Sequence, residues 1–350
     1  MAVRLRDIAA KAKVSFQAVS VAVNNRQGTT VLGEATRKRI LDVARQMGYV
    51  PNAGARAMRR GSFKRIALVV TRCLHDRRRA GWTALPTYLD TAVDVLASRG
   101  YSLVYEPFDL DFVTHDFIDP PRLFSELDFD GILGIDTAGQ VLTHVDEKIA
   151  RMDSPVVWIN RNPGPGYSAV IADEIDGARK LTRHLLDLGH RHIGYIGVQA
   201  DHYAATQRAE GVRMELEAAG LDTRGIVLMP QNGRIHDVAE EVLNLEPRIT
   251  GLIGYNFVWQ EVALYMASRR GLRVPQDLSL CCFASPWELD IQLFSTAIKV
   301  PEAEMTQAGV ELLMDKIKKK REESVVRQIP GQLVVGETTG PCNEGDNPHE

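Results

Sequence analysis

Cations are the first residues whose types suggest chemistry. Residues 1–65 hold 14 Lys and Arg against three acids, Asp7, Glu34 and Asp42. The 350-residue chain has a net charge of −3, which leaves 28 bases against 42 acids beyond residue 65. A small basic head on a large acidic body suits a polyanionic partner, because Lys and Arg displace counterions condensed on phosphates. Among these cations stand Phe16, Gln17, Ser20 and Val21. A glutamine presents a paired donor and acceptor to an adenine edge, whereas Phe and Val offer only apolar contact, as to a thymine methyl. Charge alone fits an anionic membrane surface equally well, so the spacing of residues within the head must decide.

Spacing favours the duplex. Leu5, Ile8, Ala9 and Ala12 recur at helical intervals, giving one buried face of a short helix. Ser15 is a good N-cap for a second helix, carried inward by Ala18, Val19, Ala22 and Val23 and ending at Asn24-Asn25. A third runs from Glu34 to Met47, with Ile40, Leu41, Val43, Ala44 and Met47 inward and Gly48 as its stop. Two short helices joined by a tight turn and braced by a third form a helix-turn-helix, whose second helix enters the major groove N-terminus first. That docking turns Phe16, Gln17, Ser20 and Val21 towards base edges. A plain three-helix bundle leaves Phe16 and Val21 unexplained beside so many cations. Beyond Tyr49, the Ala-rich run from Pro51 to Gly61 is too short to be a stable isolated helix, and Gly54 weakens it further by ~1 kcal/mol relative to Ala. It reads either as a plain linker or as one that folds on DNA and wedges Met58 into the minor groove.

From Arg65 onwards, apolar β-branched runs such as Ile66–Val70, Gly131–Ile135, Val156–Asn160, His192–Gly197, Gly251–Tyr255 and Leu278–Phe283 alternate with helical segments. This pattern implies βαβ units and buried parallel sheets. A break near Asn162-Pro163-Gly164-Pro165-Gly166 suggests two lobes with a ligand cleft between them. No apolar run approaches the ~20 residues a membrane span needs. The basic N-terminus has no apolar stretch of the secretory kind behind it, so a cytoplasmic protein is expected. Four cysteines, Cys73, Cys281, Cys282 and Cys342, show no metal-ligand spacing. His190-Arg191-His192 lacks a completing ligand, and neither a phosphate loop nor a nucleophile elbow is present. No cofactor and no metal are therefore expected.

Several ordered motifs resemble the LacI/GalR family of bacterial transcription regulators. They are Arg6-Asp7-Ile8-Ala9, Val14–Ser20, Asn24, Thr36-Arg37, Gly48–Asn52 and Ala55–Gly61 in the head. In the body they are Leu188–Ile193, Arg208-Ala209-Glu210-Gly211 and Gly271–Ser279. The resemblance implies a three-helix DNA-binding domain over residues 1–48 and a hinge over 49–63. A two-lobed, periplasmic-binding-protein-like α/β core over 64–340 would bind an effector and dimerise, and a disordered tail would occupy 341–350. Chain crossings between lobes are expected near Pro163, Ser295 and Arg327, with Arg327–Gly336 returning to the second lobe. DNA contacts are implied at Leu5, Arg6, Ser15, Ala18, Asn24, Thr36, Tyr49, Asn52, Ala55 and Arg56, besides Phe16, Gln17, Ser20, Val21 and Met58.

For the cleft, the resemblance implies effector contacts at Asn160, Arg208, Asn256, Phe257 and Ala284, with Trp82 and Tyr88 near its mouth. The family commonly carries aspartates where Asn160, Phe257 and Ala284 stand here. Those carboxylates accept hydrogen bonds from sugar hydroxyls, which Phe and Ala cannot do. A cleft reduced to Arg208 and neutral groups favours an anionic or partly apolar ligand over a neutral hexose.

The expected function is a cytoplasmic, homodimeric transcription regulator, a repressor by resemblance, on a pseudo-palindromic operator. A small-molecule effector, a carbohydrate derivative, would control it. A solute receptor would have a leader and no basic head. An enzyme on this scaffold would need a cleft acid cluster, and a regulator without an effector would explain the missing aspartates.

Overall fold

The computed structural model describes residues 3–23, 32–50, 57, 61–73, 85–110, 117–119, 122–126, 128–135, 149, 151–152, 154–161, 166–198, 203–230, 233–291, 295–319 and 323–342. Two compact units result, Met1–Phe63 and Lys64–Glu350.

In the first unit, α1 (Leu5–Ala12), α2 (Phe16–Val23) and α3 (Glu34–Gln46) enclose a small core. Ile8, Val19 and Ile40 are wholly buried in it, with Ala9, Ala12, Ala18, Ala22 and Ala44 around them. Alanines let short helices approach closely, so few large side chains are needed. The α1 start is closed by the Asp7 carboxylate, which accepts from the Arg4 backbone N–H at 2.8 Å. Ser15 caps α2, its Oγ accepting from Ala18 N–H at 3.1 Å. At the end of α3, Gly48 takes φ +68°. Tyr49 N–H then returns to the Ala44 carbonyl at 2.9 Å, a left-handed stop that glycine adopts without strain. Leu41 is only half-buried and stands outside the cluster.

The second unit is built on two sheets. Lobe 1 has β1 (Arg65–Cys73), β2 (Ser102–Leu110), β3 (Phe117–Asp119), β4 (Gly131–Ile135), β5 (Val156–Ile159), β6 (Ser168–Ala172) and β12 (Val326–Ile329). Their order is β12-β6-β5-β4-β1-β2-β3, parallel except for β3. Lobe 2 has β7 (Ile193–Gly197), β8 (Ile226–Leu228), β9 (Gly251–Gly254), β10 (Ser279–Ala284), β11 (Thr296–Lys299) and β13 (Gln332–Val334), in the order β13-β11-β10-β9-β7-β8 with only β13 antiparallel. The central strands are buried on both faces, which is why they read as continuous apolar runs. Helices α4 (Leu85–Ser98) and α10 (Glu302–Lys319) cover one face of lobe 1. In lobe 2, α5 (Glu174–Asp187) packs on α6 (Tyr203–Ala218), and α7 (Ile235–Leu243) packs against β7. A Cβ at Gly211 would lie 2.6 Å from the Ile175 carbonyl oxygen, so glycine alone permits that approach.

The chain crosses between sheets at 172–174, 299–302 and 329–332. The first crossing lies after the Pro/Gly turn rather than in it, because the apolar run Ser168–Ala172 still pairs with β5 and completes lobe 1. The second follows β11, whereas Ser295 precedes that strand. Arg327 lies within β12 of lobe 1, and return to lobe 2 begins only at β13. The ordered path also extends past residue 340. Cys342 N–H donates to the Leu188 carbonyl at 2.8 Å, and the Gly340 carbonyl lies 3.0 Å from Nε2 of buried His190.

Candidate functional site

On the helical unit, Arg6, Ser15, Phe16 and Gln17 are exposed, while Leu5, Ser20, Val21, Thr36 and Tyr49 are half-buried. Phe16 is 48% exposed, an uncommon state for a large aromatic on a domain this small. Together with Gln17 it opens the capped N-terminus of α2, and Val21 lies in the helix's second half. Ala18 departs from expectation: its side chain is 7% exposed and packs in the helical core, so only its backbone can face a ligand. Asn24, Asn52, Ala55, Arg56 and Met58 lie outside the described residues.

In the core unit, the expected effector residues cluster where parallel strands end. Asn160 directly follows β5, Asn256 follows β9, and Ala284 is the last residue of β10. Open parallel sheets place ligand crevices there, because loops leaving the carboxyl ends diverge at the switch in strand order. Asn160 adopts φ +56°, a left-handed conformation that asparagine tolerates, and its N–H donates to Val170 O at 3.0 Å. Asn256 caps α8 (Phe257–Arg269), its side chain accepting from Trp259 N–H at 3.3 Å. Phe257 packs with Leu289 against buried Cys282, Ala284 and Ala297.

Tyr88 is buried in the lobe 1 core with Leu85, Ala92 and Leu96, rather than at a mouth. Burial raises its pKa well above the usual phenol value, and Glu302 and Glu174 push the same way. Trp82 lies outside the described residues.

Arg208 holds the largest surprise. Expected as a cation available to an anion, it is instead paired. Its Nε donates to Glu174 Oε2 at 2.7 Å and its Nη2 to Glu174 Oε1 at 3.1 Å. Nη1 donates to the Tyr255 carbonyl, and the guanidinium stacks on Phe283 at 3.9 Å and on Tyr255 at 4.7 Å. Both ionic side chains are almost wholly buried. Burial opposes the Arg208 charge, yet the Glu174 carboxylate and Tyr255 more than offset it, holding the guanidinium above its ordinary pKa. The first of these partners, Glu174, is the opening residue of α5, just after the β6 crossing.

A pair of acids lies near the second crossing. Ser285 Oγ donates to Glu302 Oε1 at 2.5 Å, and Ser285 N–H donates to Glu288 Oε2 at 2.8 Å. Glu288 belongs to α9 (Pro286–Ile291) in lobe 2, and Glu302 opens α10 on lobe 1. Burial lifts the Glu302 carboxyl to about 7 against the pull of Ser285 and Thr87, and Glu288 and Glu304 reinforce the rise. Asn160, Phe257 and Ala284 put no carboxylate at these strand ends. The structure supplies Glu174, Glu288 and Glu302 from other elements. Their signal was position: Glu174 and Glu302 each stand two or three residues past a buried parallel strand.

Among the described residues no group of side chains has metal-binding geometry, and no helix is long and apolar enough to cross a membrane. His190 contacts Thr250 and Ser279 hydroxyls at 3.0 and 2.9 Å, a structural role.

A three-helix head with an exposed capped helix, followed by two parallel-sheet lobes, is an architecture suited to a DNA-binding transcription regulator. The description "Bacterial regulatory proteins, lacI family" matches residues 4–52, and "Periplasmic binding protein-like domain" matches residues 182–339. In both segments the chain is similar to the LacI/GalR family of bacterial transcription regulators. It is 24% identical over 343 residues to the HTH-type transcriptional repressor PurR of Aliivibrio salmonicida, covering 95% of this chain and 97% of that protein. The lac repressor dimer bound to operator and the anti-inducer ONPF shares the fold at TM-score 0.78 and 18% identity, over 97% of this chain and 100% of that one. The transcriptional regulator CelR in complex with cellobiose aligns at TM-score 0.66 and 23% identity, over 96% and 99%.

Proposed function

We propose that this regulator is a repressor, binding a pseudo-palindromic operator as a homodimer under the control of a carbohydrate-derived effector. The observation that carries the reading is the exposed face of α2, with Phe16 and Gln17 presented beside a surplus of cations. One head reads few base pairs, so a two-fold pair of heads is the usual route to useful specificity. Residues 49–63 serve as the hinge, and Met58, apolar and flexible, is suited to wedge between base steps once the segment folds on DNA. The repressor direction is supported by the PurR relatives, and the carbohydrate class by the cellobiose complex of CelR. Asn160, Arg208, Asn256, Phe257 and Ala284 form the effector wall, with Arg208 acting through its stacked, ion-paired plane.

Selection of bound duplexes from a random pool tests the operator reading. The expected product is a two-fold symmetric site whose half-sites are about one helical turn apart. Enrichment of a single asymmetric site, or of none, contradicts it.

A further inference from the structure

Lys64 is the first residue of the core unit, the point at which the chain leaves lobe 1 for the segment that leads to the head. It adopts φ +56°, the left-handed region that residues with a Cβ rarely occupy. Among the described residues Lys13 and Asn160 share that region, but Lys13 ends helix α1 and Asn160 is an asparagine. Lys64 has neither reason. Sheet pairing does not call for the turn: β1 pairs with β2 from Arg65 and with β4 from Ile66, so an extended residue 64 would simply lengthen the strand. Its side chain is exposed, so core packing does not impose the turn either. Non-glycine residues stay in such conformations only where their surroundings fix them, and those places cluster at functional positions.

The surroundings do fix it, from both strands that flank β1. Lys64 N–H donates to Asp130 Oδ2 at 3.0 Å, just ahead of β4. Its carbonyl accepts from Ser102 N–H at 3.0 Å and from Ser102 Oγ at 3.3 Å, where β2 begins. The ammonium lies 4.1 Å from the centroid of the Tyr101 ring, a cation–π contact. Each grip is itself held. Tyr101 follows left-handed Gly100 at the stop of α4, and its N–H returns to the Leu96 carbonyl at 3.0 Å. Asp130 also donates its own N–H to the Arg65 carbonyl at 2.8 Å, so it grips two successive residues.

We infer that Lys64 is a positioning residue for operator binding: its clamped left-handed turn sets the heading on which the chain leaves lobe 1, and the hinge folds on DNA from that fixed anchor. This rests on the hinge and operator reading above. An anchor free to rotate would add backbone to be ordered at the moment of binding, and every residue so ordered weakens association. Binding to duplexes of random sequence, carried by phosphates, leaves the hinge unfolded and is indifferent to the anchor.

Substitutions at this exposed position separate the turn from the charge. Lys64→Asn removes the ammonium but tolerates the left-handed region and keeps both backbone grips, whereas β-branched Lys64→Val resists it. Affinities of the full chain for the selected operator and for a random duplex are measured, with the Tm of the core. Lys64→Val should weaken operator binding at least about fivefold and leave random-duplex binding within about twofold. Lys64→Asn should stay within about threefold of wild type on both. Lys64→Ala should fall between them, and it supplies the comparison if the valine variant does not fold. Equal losses for asparagine and valine would assign the effect to the ammonium. Equal losses on both duplexes, or a lowered core Tm with operator affinity unchanged, would leave the turn a purely structural role. Each of these results overturns the inference while the operator reading stands, and failure of the wild-type chain to select any operator counts against both.

Discussion

The helical head and the two-lobed core use charge in opposite ways. In the head, cations are plentiful and close in sequence, and they act together on a partner that is itself a line of charges. In the core, Arg208, Glu174, Glu288 and Glu302 are few, buried and drawn from four helices. Each acts on an atom-sized target in a desolvated setting, where Coulomb interactions are only weakly screened. Head function should therefore be graded and salt-sensitive, while cleft function should fail abruptly on loss of one group.

The sharpest break between the two is removal of the head. Deleting residues 1–63 should abolish operator binding in a mobility-shift assay while residues 64–350 still unfold cooperatively in denaturant, since the two units have separate cores. Retained operator affinity would make the core the DNA reader.

Next comes the buried ion pair. Arg208→Ala leaves Glu174 buried without its cation, so the core should lose about 3–5 kcal/mol in chemical denaturation. The double change Arg208→Ala with Glu174→Ala should recover part of that loss. A single-variant loss below ~1 kcal/mol would mean that the pair is solvated like a surface bridge.

Glu302 supplies a pH signature that the head lacks. Its carboxyl is raised from an ordinary 4.5 to about 7 in the folded core. Below 4.5 both folded and unfolded chains hold the proton. Between 4.5 and 7 the unfolded chain has lost it while the folded one keeps it, so stability falls as pH rises, and above 7 the penalty is complete. The full span is on the order of 3 kcal/mol. Measured as the difference between wild type and Glu302→Gln, stability should diverge across that window, and parallel pH profiles would refute the assignment.

These residues also mark where sequence reasoning reached and where it stopped. Helices α1 and α3 were legible almost to the residue, since apolar spacing, Ser15 and Gly48 are local signals. The buried strands were legible as apolar runs. Lobe membership was not: Ser168–Ala172 reads the same whether it closes one sheet or opens the next, and only pairing with β5 decides. Cleft acids were hidden for a related reason. Glu174 and Glu302 are two among 45 Asp and Glu, and nothing local separates them from surface carboxylates until strand ends bring Tyr88, Arg208 and Ser285 beside them. Arg208 itself was recognised, but its partner lies 34 residues away.

The smallest predicted effect returns to the head. Val21 cannot pair with a guanine edge, whereas Val21→Arg can. The substitution should shift preference at one operator position towards guanine by about 1–3 kcal/mol, read by repeating duplex selection. An unchanged selected sequence would show that α2 docks differently.

The central claim, that the cations of residues 1–63 hold DNA phosphates, is tested most directly by the salt dependence of operator affinity for the full chain. Counterion release predicts a straight, steep fall of log K with log salt, about −0.9 for each phosphate neutralised. Affinity that stays level as salt rises would contradict the account.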